Sequence, residues 1–80
     1  PRLYIMNRDE LIRECSMFFW TSSSRYDEEV YFSVMEDIEE ATVIASDGVA
    51  CVGFADNDDI SVRDYAAKIM RKKMISLGHL

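Results

Sequence analysis

The 80-residue sequence has little proline and little glycine, and it has no long hydrophobic run. Its single proline is residue 1, and no repeat or low-complexity stretch marks a linker, so we expect one domain over residues 1–80. The longest uninterrupted apolar runs, such as Met17 to Trp20, contain four residues. A membrane span needs roughly 18. No basic segment followed by an apolar stretch suggests a signal peptide, so we expect a cytoplasmic protein, in the host cytoplasm if a phage encodes it.

The scarcity of cysteine and histidine excludes several kinds of site. Cys15 and Cys51 are predicted to be reduced, buried thiols, because two cysteines are too few for a disulfide framework and nothing indicates secretion. With one histidine, His79, the chain lacks the ligands of a typical zinc site. The glycines at positions 48, 53 and 78 form neither a dinucleotide-binding motif nor a phosphate-binding loop.

No catalytic signature is present, so we expect a non-enzymatic protein without a cofactor. His79 is the second-last residue, where chains usually fray, and a general base needs a fixed orientation. The serines at 22–24 have no glycine elbow beside them. The acidic loop over residues 56–59 begins like a calcium-binding EF-hand, but the later ligand positions hold Ile60, Ser61 and Ala67. We therefore predict a solvated loop without a metal. Weak binding of Mg²⁺ or Ca²⁺ by its three carboxylates is the alternative.

Basic residues are missing from the middle of the chain. Residues 26–60 contain 11 acidic residues and no lysine or arginine. Over residues 1–60 there are 14 acids and 4 bases, a net charge of −10, whereas residues 61–80 contain five bases and one acid, a net charge of +4. The total of −6 and the pI of about 4.6 disfavour direct binding of nucleic acid, since domains that bind it are usually basic.

Capping residues mark the ends of a first and a third predicted helix. Asn7 can cap the first, with Glu10 closing a capping box, and the helix should end in the hydroxyl-rich segment 21–24. Ser61 can cap the third, and Gly78 can end it. The apolar residues between these caps have the helical period: Leu11, Ile12, Cys15, Phe18 and Phe19 in the first helix, and Val62, Tyr65, Ala66, Ile69, Met70, Met74 and Leu77 in the third.

A second predicted helix has an apolar side and an acidic side. It should begin at a cap supplied by Ser24 or Asp27 and run to about Ala41. Its apolar side contains Val30, Tyr31, Val34, Met35, Ile38 and Ala41. Its other side contains Glu28, Glu29, Phe32, Glu36, Glu39 and Glu40. The segment 30–35 is also rich in residues that favour strands, but the 3.6-residue period over twelve residues favours the helix.

Three β-prone segments complete the fold prediction. Residues 3–6 are typical of a buried strand, and residues 42–46 and 49–54 flank Asp47-Gly48, which predicts a hairpin with a type I′ turn. The element order is then β-α-α-β-β-α. This order predicts a small α+β domain in which the helices pack on a short, mostly antiparallel sheet that includes the 42–54 hairpin.

The helix pair followed by this hairpin resembles the first half of the N-acetyltransferase fold. The turn Asp47-Gly48 and the second strand Val52-Gly53-Phe54 carry the resemblance, which covers about the first 55 residues. It implies a partial acyltransferase-like domain. The family's basic-Gly-x-Gly segment, which binds the pyrophosphate of its coenzyme, is absent here, and a single helix follows Asp59, so no coenzyme A site is expected.

The acidic side of the second helix is the candidate binding surface. Carboxylates on adjacent turns lie about 5–6 Å apart, and such a row can occupy the basic groove of a nucleic-acid-binding protein. Small acidic proteins of phages and mobile elements that block restriction, CRISPR or other host nucleic-acid machines are similar in size and charge. We therefore predict a DNA-mimicking module that inhibits or regulates such a protein or ribonucleoprotein. The predicted contact residues are Trp20, Glu28, Glu29, Phe32, Glu36, Asp37, Glu39, Glu40, Asp56, Asp58 and Asp59.

Two further interpretations stay open for the charged and apolar surfaces. The acids could serve solubility alone in a small structural or assembly subunit, with exposed aromatic residues completing its core in a homodimer. The basic third helix is predicted to pair with the acidic helix or the acidic loop inside the chain. A contact with a partner protein and direct binding of nucleic acid stay open as alternatives for this helix. Its bases are Arg63, Lys68, Arg71, Lys72 and Lys73.

Overall fold

The computed structural model describes residues 2–21, 27–56 and 60–79. The elements in chain order are β1 (Arg2–Asn7), α1 (Arg8–Thr21), α2 (Asp27–Ala41), β2 (Thr42–Ile44), β3 (Ala50–Asp56) and α3 (Val62–Ser76). Three helices pack on a three-stranded antiparallel sheet, so the predicted α+β fold and its element order are confirmed.

The sheet has the strand order β1-β3-β2, with β3 in the centre. Both pairings are antiparallel, and the register places Val52 of β3 opposite Met6 of β1 and Thr42 of β2. The first strand is confirmed over residues 3–6, but its prediction as a buried strand is wrong at Ile5. In the described part of the sheet β1 is an edge strand, and Ile5 is 63% exposed whereas its neighbour Met6 is buried, because successive side chains point to opposite faces.

The hairpin between β2 and β3 is confirmed, but its turn differs from the predicted type I′. The carbonyl of Ala45 accepts a hydrogen bond from the Gly48 amide at 2.9 Å, and the Ala45 amide donates to the Val49 carbonyl at 2.9 Å. Gly48 has φ of 84°, whereas no other type of residue in the described ranges has a positive φ. This is a three-residue loop in which glycine alone takes the left-handed conformation, so Asp47 avoids the strain that a type I′ turn would impose.

The predicted caps position α1 and α3. The Asn7 side-chain oxygen accepts a hydrogen bond from the Glu10 amide at 3.1 Å, and the Ser61 hydroxyl oxygen accepts one from the Asp64 amide at 3.1 Å. Each bond satisfies an amide that the first turn of a helix leaves without a backbone partner. The N-terminal ends of both helices are therefore where the sequence predicts them.

The C-terminal end of α3 is closed by Gly78. With φ of 79°, Gly78 allows its own amide to donate to the Ile75 carbonyl at 3.1 Å and the His79 amide to donate to the Met74 carbonyl at 2.9 Å. This pair of bonds is the Schellman motif, which satisfies the last free carbonyls of a helix. The predicted stop at Gly78 is confirmed.

The second helix is confirmed as well, and the strand interpretation of residues 30–35 is wrong. Asp27 is the first residue of α2. The other proposed cap, Ser24, lies outside the described residues. The helix passes into β2 without a connecting residue, and the Thr42 hydroxyl donates a hydrogen bond to the Ile38 carbonyl at 2.6 Å across this junction.

The core lies between the helices and one face of the sheet. Its buried members come from five elements: Met6, Leu11, Cys15, Val30, Val34, Ile38, Val52, Ala66 and Met70. Both cysteines are free and buried, as predicted. Burial, with a smaller effect from the neighbouring Glu14, raises the pKa of Cys15 to about 12. None of the helices within the described residues has the length and apolar character that crossing a membrane requires.

Candidate functional site

The solvent-facing side of α2 gathers most of the predicted contact residues. At about 100° per residue, six side chains fall within an arc of about 120°, opposite the buried Val30, Val34 and Ile38. We call this the acidic face, and all six of its members are exposed: Glu28, Glu29, Phe32, Glu36, Glu39 and Glu40. Phe32 lies near the middle of the arc with 57% of its surface exposed, as the helical period predicts.

Two carboxylates of the acidic face have basic partners from other parts of the fold. The guanidinium of Arg8, at the start of α1, lies 2.5 Å from a carboxylate oxygen of Glu39. His79 Nε2 lies 3.2 Å from a carboxylate oxygen of Glu29. Both acids stay largely exposed, so these pairs contribute little to stability, under about 1 kcal/mol each. Arg8 partly neutralises the C-terminal end of the acidic face, and His79 contacts its N-terminal end.

The position of His79 corrects a prediction. Its place in the sequence suggests a frayed end, whereas in the structure the His79 backbone takes part in the Schellman motif and its side chain lies against Glu29 of α2. Its side chain is 11% exposed and contacts Glu29. The histidine therefore joins the end of α3 to the start of α2, and in this position it pairs with a carboxylate of the candidate site.

A row of four side chains remains on the acidic face. Glu28, Phe32, Glu36 and Glu40 follow one another at intervals of four residues, so each lies one turn above the last on the same side of α2. Within the described part of the chain, the three carboxylates of this row make no ion pair. This row is the part of the candidate site with the most negative charge left for a partner.

Asp37 lies outside the acidic face. Its carboxylate lies 2.5 Å from the Lys73 ammonium, at the flank of α2 that faces α3. The pair lines a cavity of about 430 Å³ between α2, α3 and β3, whose other walls are largely apolar. The prediction that a base of the third helix pairs with the acidic helix is confirmed for Lys73, and Asp37 serves this internal contact.

A row of four aromatic rings extends from the exposed Trp20 to Phe32 on the acidic face. The ring centroids of Trp20 and Phe19 are 5.2 Å apart, those of Phe19 and Tyr31 are 5.0 Å apart, and those of Tyr31 and Phe32 are 5.6 Å apart. Trp20 is 78% exposed. The two outer rings were predicted at separate positions, and the two half-buried inner rings join them into one aromatic row across α1 and α2.

The acidic loop adds little to this description. Asp58 and Asp59 lie outside the described residues, and Asp56 is the last residue of β3. Among the residues that are described, no group of three or more histidine, cysteine, aspartate or glutamate side chains is arranged to hold a metal ion. The predicted contribution of this loop to a binding surface stays a prediction.

The other bases of α3 form a second surface. Arg63, Lys68, Arg71 and Lys72 line a groove of about 910 Å³ between α3 and α1. Apolar side chains lie beside them: Met17 is 54% exposed and Ile75 is 62% exposed. The sequence pattern did not reveal this groove, because it depends on how α1 and α3 pack against each other. The signal available in the sequence was the cluster of bases in the third helix, for which a partner contact is one interpretation.

We compared the chain with protein-family models, with curated proteins and with solved structures, and none of the three comparisons gives a match.

Proposed function

We propose that this protein is a non-enzymatic interaction module whose acidic face binds a basic surface on a nucleic-acid-handling protein or ribonucleoprotein in the cytoplasm. By occupying the surface that nucleic acid would use, it would inhibit or regulate that partner. The observation that carries the proposal is the row Glu28, Phe32, Glu36 and Glu40, in which an exposed aromatic ring is surrounded by carboxylates without an internal ion pair among the described residues.

The spacing of the row suits a partner that binds phosphates. Its carboxylates recur at every turn or second turn of one helix, and the remaining acids of the face lie beside them. The charge density is lower than that of a DNA duplex, which has one charge per about 1.7 Å, but adjacent carboxylates widen the row and reduce the difference. Binding of this kind is steered by long-range attraction, so it should be fast and sensitive to salt.

The placement of the acids costs the helix some stability. Glu39 and Glu40 lie in the last turn of α2, which contains no base, although a helix C-terminus favours positive charge. By contrast, α3 has Lys73 in its last turn. Acids at a helix C-terminus are unfavourable by about 0.3–1 kcal/mol each. The ion pair with Arg8 accounts for Glu39. Glu40 makes no ion pair among the described residues, and solubility alone does not require an acid there, whereas a binding role for the face accounts for it.

The exposed aromatic rings supply contact area that charge alone does not. Interfaces derive much of their binding energy from a few aromatic or arginine side chains that become fully buried. Phe32 lies in the centre of the acidic face, and Trp20 lies at the other end of the aromatic row. The half-buried Phe19 and Tyr31 contact these two rings and limit their conformations, which lowers the entropy cost of binding.

Affinity capture with two matched variants tests the proposal. Glu36→Gln with Glu40→Gln removes two charges from the acidic face, whereas Asp9→Asn with Glu10→Gln removes two from the exposed start of α1. We expect the unmodified protein and the α1 variant to retain a nucleic-acid-binding protein from a cell extract, and we expect the α2 variant to lose it. Duplex DNA added to the purified complex should displace the module.

Three results would contradict this function. The captured proteins could be the same for both variants, which would show that the acidic face is not the contact. They could lack any protein that binds nucleic acid. DNA could also fail to compete at 50 mM salt, where phosphate contacts of the partner are strong, and the two ligands would then use different surfaces.

A homodimeric assembly subunit is the second candidate, and the outer face of the sheet favours it. Ile5 and Val43 are 63% and 57% exposed there, on the face turned away from the helices. A second copy could cover both side chains. Sedimentation equilibrium should then show a dimer that Ile5→Lys dissociates and that Glu36→Lys leaves intact. A monomer at all concentrations would exclude this candidate. The partial acyltransferase-like domain stays a prediction.

A further inference from the structure

The groove between α1 and α3 has the form of a binding site for a helix. It is the valley between two packed helices, with Met17 and Phe18 on the α1 side and Ile75 on the α3 side. The α3 wall extends from Arg63 to Ile75, twelve residues apart, which corresponds to a length of about 18 Å. A partner helix of about three turns would fill it. We propose that this groove binds an acidic amphipathic helix of a partner protein.

The apolar part of the groove requires apolar side chains from the partner. Met17 and Ile75 expose more than half of their surface to water although each lies on a helix beside the core. Methionine is flexible and polarisable, so it can adapt to different apolar side chains. A helix that places a leucine or phenylalanine stripe in the groove would remove both residues from water, which is the usual helix-in-groove mode of recognition.

The charged part of the groove requires carboxylates. Four bases line it against two acids, Glu14 and Asp64, so its net charge is positive on a protein of charge −6. The guanidinium of Arg71 lies 5.9 Å from the centre of the Phe18 ring, and this cation–π contact limits its conformations. An arginine held in this way can donate two parallel hydrogen bonds to one carboxylate.

The two acids in the groove favour a peptide over a nucleic acid. A phosphate backbone presents closely spaced charges that would approach Glu14 and Asp64 as well as the bases. A helix carries its carboxylates one turn apart, so it can place them beside the bases and leave the acids facing water. Nucleic acid also offers no aliphatic side chain for Met17 and Ile75. The groove therefore matches a helix that is both acidic and apolar.

Fluorescence anisotropy with a synthetic peptide tests this site. The probe is a fluorescein-labelled 15-residue helical peptide with leucine along one side and glutamate along its flanks. A matched peptide has glutamine in place of every glutamate, so it is not a ligand for the acidic face. We expect the glutamate peptide to bind at least about tenfold more tightly than the glutamine peptide, with an affinity that falls as salt rises.

Matched charge reversals locate the binding. Arg71→Glu reverses a charge in the groove, whereas Arg13→Glu makes the same reversal on the exposed surface of α1, outside the groove. We expect Arg71→Glu to weaken binding at least about tenfold and Arg13→Glu to weaken it less than about threefold. Circular dichroism should show that both variants are folded, since both side chains are exposed.

Any of three results would overturn the assignment. The glutamate peptide could fail to bind, the two arginine variants could weaken binding equally, or a 15-nucleotide single strand could bind more tightly than the peptide. The last result would assign the groove to nucleic acid. Glu36→Gln with Glu40→Gln should leave peptide binding unchanged, so failure of this site and failure of the acidic face are separate outcomes.

Discussion

The acidic face of α2 and the groove between α1 and α3 differ in shape as well as in charge. The acidic face is the convex side of a single helix, and its aromatic member Phe32 projects into solvent. The groove lies between two helices, and its apolar members line a concave surface. A convex surface inserts into a partner, whereas a groove receives one. The net charge of −6 describes the whole chain, whereas the acidic face is negative and the groove is positive, so the charge of each surface follows from its own residues.

The two surfaces share one core, and a core substitution should affect both. Met70 is fully buried, so Met70→Ala should lower the free energy of unfolding by about 2–5 kcal/mol through lost burial and the cavity it leaves. Met17→Ala deletes the same atoms from a side chain that is 54% exposed and should cost under about 0.5 kcal/mol. Urea denaturation measures both values. Equal costs would mean that α3 does not depend on the described core.

High pH should destabilise this shared core through one thiol. Burial raises the pKa of Cys15 from 9.0 to about 12, so between these values the unfolded chain loses a proton that the folded protein keeps. The free energy of unfolding should therefore fall as pH rises from 9 to 12, by at most about 1.4 kcal/mol per pH unit from this group. Cys15→Ala should remove that part of the slope in urea titrations, and Cys51→Ala should retain it.

Removal of the N-cap of α3 should destabilise this helix, which forms one wall of the groove, without changing the acidic face. Ser61→Ala deletes the oxygen that accepts a hydrogen bond from the Asp64 amide, and we expect it to lower the free energy of unfolding by about 1 kcal/mol. Ser61→Gly should lower it by only a few tenths of a kcal/mol, because glycine is also favoured at the N-cap. Thermal denaturation of the two variants gives the comparison. An alanine variant as stable as the unmodified protein would show that the cap bond is not formed in solution.

A charge reversal at the C-terminal end of α2 should stabilise the protein and reduce the negative charge of the acidic face. Glu40→Lys replaces an acid with a base in the last turn and relieves repulsion with Glu36, which we expect to raise the free energy of unfolding by about 0.5–1 kcal/mol. Glu10→Lys, in the first turn of α1, should have the opposite sign. Urea denaturation at low salt measures both. A loss of stability for Glu40→Lys would remove the helix-terminus argument for function.

Local patterns in the sequence predict the elements and their ends, but they do not predict how distant elements meet. Asn7, Ser61 and Gly78 act on residues within a few positions, so their roles can be recognised from spacing. The exposure of Phe32 follows from the helical period of α2. The same local reasoning failed for His79, because its contact with Glu29 joins residues 50 positions apart.

The candidate surfaces divide in the same way. The acidic face lies on one helix and could be read from the sequence, whereas the groove and the aromatic row depend on the packing of α1 against α3 and α2. The turn between β2 and β3 shows a further limit. Asp47-Gly48 indicates a hairpin correctly, yet the choice between two and three loop residues depends on the register with β3.

The direct passage from α2 into β2 has a mechanical consequence. Because Ala41 and Thr42 are adjacent and no loop intervenes, α2 cannot rotate about its axis without twisting the strand that follows. The hydrogen bond from Thr42 to the Ile38 carbonyl further restricts this junction. The direction in which the carboxylates project is therefore set by the sheet. Any receptor must accept them at that angle, and complex formation loses little freedom in this helix.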